Sequence, residues 1–187
     1  MSEFRLTERQ EEATALLGGP ATHIMLEGGS RSGKTFAIIR AKCIRRLAVP
    51  SRGATLRFRF NHLKSAIIYD TLPKVINTCW PGLWDACKLD KTDWFFRFPN
   101  GSEEWFGGLD DKQRTEKILG NEYSDIFFNE CSQIPWVSRN IAITRLAQKT
   151  KLRLKAYYDC NPPSKMHWSQ QVFSRKFSPD TRTALPN

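Results

Sequence analysis

The sequence predicts a three-layer α/β fold, a mainly parallel β-sheet with helices on both faces and a small inserted β-hairpin. Three observations predict it. Short apolar strand signals alternate with helix-length segments along the chain, as crossover connections between parallel strands require. A glycine-rich loop stands between the first strand and the second helix. Asn100-Gly101, between two aromatic-rich runs, marks one tight antiparallel turn.

Each element has its own local reason. Thr7 opens a helix, Gln10 completes a capping box three residues on, and Gly18-Gly19-Pro20 ends it. Residues 22–27 (THIMLE) form a short buried strand that runs into the loop. A helix follows from Lys34, with Phe36, Ile39, Ile44 and Leu47 available for its buried side, and stops near Pro50. ATLRFRF (54–60) is a second strand, and the helix after it, about 61–77, meets a kink or break at Pro73. Residues 93–106 form the hairpin. EYSDIFFNE (122–130) is a strongly apolar strand with a polar end, a helix covers much of 136–148, and LRLKAYYDC (152–160) is the last strand. With 187 residues and no low-complexity linker, residues 1–180 read as one domain and 181–187 as a tail or the start of a linker.

Charge narrows the partners. Lys and Arg total 29 against 19 Asp and Glu, a net charge of +10 that suggests a polyanion. The excess is uneven. Ten basic residues and no carboxylate lie between Arg31 and Lys64, nine basic residues follow from Arg145 onward, and residues 85–130 hold eleven of the acids. Two basic blocks around an acidic middle suggest a charged working surface for nucleic acid. No apolar run approaches the roughly 20 residues that span a bilayer, and the charged start MSEFRLTERQEEA has no apolar core of a secretory signal. Five cysteines without a CxxC pair form neither a zinc site nor a disulfide framework, which suggests a reducing compartment. His23, His62 and His167 are scattered, with no metal-binding spacing.

The loop carries the chemistry. Gly28-Gly29-Ser30-Arg31-Ser32-Gly33-Lys34-Thr35 satisfies G-x-x-x-x-G-K-[ST] between a strand and a helix. Its glycines let backbone N–H groups converge on phosphate oxygens at the positive end of the following helix. Lys34 is expected to reach the β- and γ-phosphates of ATP, and the Thr35 hydroxyl to hold Mg²⁺. A second acidic site lies where Ile126-Phe127-Phe128 runs into Asn129-Glu130. Glu130 fits the general base that polarises the attacking water. Asn129 stands where an Asp is usual; its amide oxygen can accept from a metal-bound water but adds no charge. Asp125 lies about 13 Å back along the strand, too far to substitute; Asp159, at the end of the next strand and two residues before Asn161, is the substitute should Glu130 not be the base.

LTERQ, GGSRSGKT, IFFNECSQIP and YYDCNPPSKMHW together resemble the ATPase domain of phage large terminase subunits, in family order from Arg5 to Trp168. The resemblance implies a P-loop NTPase of the ASCE/RecA-like kind, an ATP-hydrolysing motor that moves double-stranded DNA into a prohead. It places Arg31 among the catalytic residues, Gln10 at the adenine and Asn161, before Pro162, in the segment that couples hydrolysis to motion. It further implies a small terminase subunit and a portal protein as partners, a homo-oligomeric ring when working, no membrane and the host cytoplasm. The family's two-metal nuclease cannot be built from the acids beyond Glu130, Asp159 and Asp180, so no nuclease activity is expected of this chain. Arg114, Lys117, Arg139 and Arg145 are candidates for a charge-stabilising finger given to a neighbouring subunit. Trp80, Trp84, Trp94 and Trp105 are able to stack on bases, but their flanks read as core and hairpin packing. Two other readings stay open: another P-loop enzyme, helicase-like or a small-molecule kinase, and a nucleotide-binding assembly module of low turnover, suggested by Asn129.

Overall fold

Helices α1 (Glu8–Gly18), α2 (Lys34–Ala48), α3 (Phe60–Leu63), α4 (Leu72–Cys79), α5 (Lys112–Leu119) and α6 (Trp136–Ile143) surround strands β1 (His23–Glu27), β2 (Arg52–Arg57), β3 (Lys88–Asp90), β4 (Phe95–Arg97), β5 (Glu103–Gly108), β6 (Asp125–Phe128) and β7 (Lys155–Cys160). The computed structural model describes residues 5–185, without the side chains of 112–114, so Arg114 and the last two residues of the expected tail lie outside the described residues. The strands form one seven-stranded sheet in the order β1-β7-β6-β2-β5-β4-β3. The first five in that order are parallel, and β5-β4-β3 is antiparallel.

Side chains alternate across the sheet and bury two cores. Phe127 and Tyr157 face one core, with Ile38, Ile39 and Cys43 of α2, Leu17 of α1, and Leu72, Val75 and Ile76 of α4. Ile126, Phe128, Ala156 and Tyr158 face the other, with Ile118 of α5 and Ala142 of α6. Burial on both faces is the reason β6 reads as a continuous apolar run.

The expected elements are present, with instructive differences. Thr7 caps α1 with the full capping box. β2 starts and ends earlier than 54–60, and Phe60 already opens the next helix. That helix runs on through a π-helical stretch, Lys64–Thr71, whose wide turns end where Pro73 enters the first turn of α4; the proline therefore sits where its missing N–H costs little. The hairpin is not a separate insertion: β5 pairs with β2, so β4 and the short β3 extend the main sheet. The tryptophans pack as their flanks suggest, Trp105 on Phe95 at 5.0 Å and Trp84 on Phe96 at 5.0 Å between ring centres. Residues near the C-terminus fold back, with Phe177 bridging Ala184.

The buried face of α2 differs most from expectation. Ile39 is buried, but Ile44 is 40% exposed, and Lys42 and Arg46 are inside instead. Lys42 pairs with Asp125 and, at 3.2 Å, with Glu104, and donates to the Ala54 carbonyl at 2.9 Å. Arg46 pairs with Asp125 and donates to Ser51 Oγ and Ser124 Oγ, while Arg45 reaches Asp125 at 2.9 Å. Gly53 makes the room: a Cβ there would stand 2.6 Å from Glu104 Oε2 and 2.8 Å from Asp125 Oδ1. Part of the first basic block is therefore an internal ion network at the start of β6, not a working surface.

Candidate active site

The eight-residue loop leaves β1 and enters α2 at its N-terminus, with the helix cap Gly33 at φ +82°, a conformation that favours glycine. Lys34 Nζ lies inside the curl, donating to the carbonyls of Gly28 and Gly29 at 2.8 Å and to Ser32 Oγ at 3.1 Å. Arg31 is exposed and left-handed, at φ +60°, and Ser30 is exposed beside it. A cleft of about 320 Å³ opens on the loop, lined also by Gln10, Met25, Glu27 and Ala37. Gln10 Oε1 is held by the Thr7 backbone N–H at 2.9 Å, in the capping box. Its Nε2 stands 3.3 Å from where a Cβ of residue 33 would be. The glutamine thus caps α1 and overhangs the loop at once.

Across the cleft edge, β7 separates β1 from β6, so the end of β6 is two strand spacings, about 9.5 Å, from the strand that carries the loop. Asp159, near the end of β7, fills that gap. Its Oδ2 accepts from the Thr35 hydroxyl at 2.5 Å, and its Oδ1 accepts from Asn129 Nδ2 at 3.0 Å and from the Glu130 backbone N–H at 2.8 Å. Asp159 is 1% exposed, and burial pushes its carboxyl up to about 6 against the hydrogen bonds that favour the anion. The Asn129 amide oxygen, expected toward a metal-bound water, accepts from Arg57 Nη1 at 3.2 Å. Glu130 turns the chain out of β6 in a left-handed conformation, φ 49° and ψ 51°, and is half-buried. Asn161 is exposed, two residues past Asp159.

Thr35 of the loop, Asn129 and the Glu130 backbone N–H thus converge on Asp159. Sequence reading held Asp159 only in reserve, as a substitute for Glu130, and missed its contact with Thr35 and the part of Arg57. The available signal was an acid ending an apolar strand just before Asn161-Pro162. Among the described residues no group of three or more His, Cys, Asp or Glu side chains is arranged to hold a metal alone. Oxygen donors from Thr35 and Asp159 do suit Mg²⁺, which takes most of its shell from phosphate and water.

A family model described as phage terminase large subunit matches residues 21–185. The chain belongs to this family. The fold agrees: the large terminase of a thermophilic bacteriophage superposes with a TM-score of 0.77 at 18% identity, covering 97% of this chain and 45% of that one. The same enzyme in complex with ATP-γ-S gives 0.70 at 16% identity, covering 97% and 44%. The large terminase ATPase domain of Thermus phage P74-26 gives 0.63 at 16% identity, covering 91% and 70%. This chain therefore spans less than half the length of the first of these terminases. No curated protein matches the sequence.

Within this terminase chain, the finger candidates differ in how they are held. Arg139 donates to the Tyr158 hydroxyl at 2.7 Å and lies over the Trp136 ring, beside His23. Lys117 pairs with Asp93 at the surface. Arg145 has a buried Nε with no hydrogen-bond partner. No described helix of the terminase chain is long and apolar enough to cross a membrane.

Proposed function

We propose that this chain is the ATP-hydrolysing motor domain of a phage large terminase, driving double-stranded DNA into a prohead. One observation carries the reading: in a chain of this family, Thr35, Asn129 and the Glu130 backbone meet on Asp159 at the ends of β6 and β7, beside a loop that curls around Lys34. ATP lies along Gly28, Gly29, Ser30, Arg31, Ser32, Gly33, Lys34 and Thr35, with Gln10 at the base. Mg²⁺, when bound with the nucleotide, neutralises charge developing on the phosphates. Lys34 leaves its loop carbonyls for phosphate oxygens, Thr35 orients toward the ion, and Arg31 adds a cation at the transferring phosphoryl group. Glu130 takes the proton of the attacking water. Asn161 relays the nucleotide state to the DNA-moving surface.

The working form is a homo-oligomeric ring docked transiently on the prohead through a portal protein, with a small terminase subunit, in the host cytoplasm. The isolated monomer engages DNA weakly and several copies engage it better. A second reading, a nucleotide-binding assembly module of low turnover, draws support from the neutral Asn129. ATPase assays with and without double-stranded DNA separate the two. Turnover that rises with DNA is expected; no turnover in either condition favours the module.

A further inference from the structure

The Asp usual at position 129, just past β6, is absent, and the structure offers a replacement one strand away. We propose that Asp159 supplies the negative charge of the metal site, and that Asn129 is its neutral partner. The inference rests on the reading of this site as one for Mg²⁺ and nucleotide.

Four observations lead there. The loop hydroxyl that is to meet the ion, Thr35 Oγ1, is already 2.5 Å from Asp159 Oδ2, and in P-loop enzymes the hydroxyl and the strand-end acid hold the ion together. β7 lies between β1 and β6, so an acid on β7 reaches the loop across one strand spacing and not two. Asp159 is buried, and its donors among the described residues are neutral: Thr35, Asn129 and the Glu130 amide. A carboxylate in that position lacks a counter-charge that a divalent ion would provide. Finally, Asn129 is oriented as a donor: its Nδ2 lies 3.0 Å and 3.2 Å from the two Asp159 oxygens while its oxygen faces Arg57.

The two positions therefore form a pair. An Asp at 129 beside Asp159 would set two carboxylates about 3 Å apart, where they cannot both ionise readily. An Asn at 129 removes that repulsion and hydrogen-bonds the acid in place. The charge has moved by one strand, and the neutral residue at the usual position follows from the move.

The test is a charge swap on the full chain: Asp159→Asn, Asn129→Asp, and both together. Mn²⁺ binding to the ADP-bound protein is followed by paramagnetic resonance, with ADP affinity in EDTA and thermal unfolding alongside. Asp159→Asn should weaken Mn²⁺ binding by about 10–100-fold or more, the loss usual even for residues one shell removed from a metal, and keep metal-free ADP affinity. The double variant, with the acid back on β6, should recover Mn²⁺ affinity to within a few-fold. If Asp159→Asn does not fold, the double variant decides. A folded double variant that binds ADP but not Mn²⁺ overturns the proposal, as does an Asp159→Asn protein with wild-type Mn²⁺ affinity. Failure of the wild-type chain to bind ADP at all would instead bring down the nucleotide-site reading beneath it.

Discussion

Single side chains carry the sharpest expectations. Lys34 is the cation inside the loop curl, so Lys34→Ala should abolish ATP turnover in a protein with unchanged circular dichroism; normal hydrolysis would remove the phosphate site from this loop. Glu130→Gln should keep nucleotide binding and lose about 10²–10⁴-fold in turnover, the usual worth of a positioned base. His23 offers a check on Arg139. Desolvation, and secondarily the Arg139 guanidinium, hold the imidazole down to about 4 from 6.5, although the residue as a whole is exposed. The unfolded chain binds that proton first as pH falls, so the neutral ring's contribution to stability is complete above 6.5 and lost on the way down to 4. An Arg139→Met variant should show a raised His23 pKa by NMR titration; no movement would mean that Arg139 spends its time elsewhere. The loop was legible because its eight residues are contiguous, and their spacing alone states the chemistry. The contact of Asp159 with Thr35 was not, since the two are 124 positions apart and meet only because β7 enters the sheet beside β1.

At the scale of elements, α2 shows how a helix built for a core can carry three cations inward. Lys42, Arg45 and Arg46 share Asp125, and removing that acid leaves buried Lys42 and Arg46 with Glu104 as their one remaining acid among the described pairs. Asp125→Ala should cost about 3–5 kcal/mol in urea unfolding, the usual penalty for breaking a buried pair from one side. A loss below about 1 kcal/mol, the range of exposed pairs, would mean that water reaches the cluster. Strand and helix alternation made most elements readable, including α1 with its cap. Two escaped. β3 is three residues of which two are charged, too short to show a period, and α5 is largely polar and packs chiefly through Ile118. Apolar counting on α2 was misled for a related reason: Ile44 looked like core and Lys42 like surface, and only the acids on β5 and β6 reverse them.

Over the whole molecule, burial leaves the +10 charge facing outward, because buried Lys42 and Arg46 are matched by buried Glu104 and Asp125. The remaining cations carry no base-reading motif. Binding to double-stranded DNA should therefore be independent of sequence and fall with salt, log affinity dropping by about 0.9 per phosphate contacted for each decade of salt. A salt-insensitive, sequence-selective footprint would contradict this.

The position of Asp159 also has a mechanical consequence. The side chain that grips Thr35 and the Asn161-Pro162 turn sit on one strand end, two residues apart, about 7 Å of extended chain. With an acid on β6, a pull at the loop would have to cross to a neighbouring strand before reaching that turn. Under the proposed roles of Asp159 and Asn161 it would run straight along the backbone, a drive shaft with no gear between load and piston. Slack inserted in the shaft, such as one extra glycine after Cys160, should leave ATP consumption running while DNA movement stalls, an engine turning over out of gear.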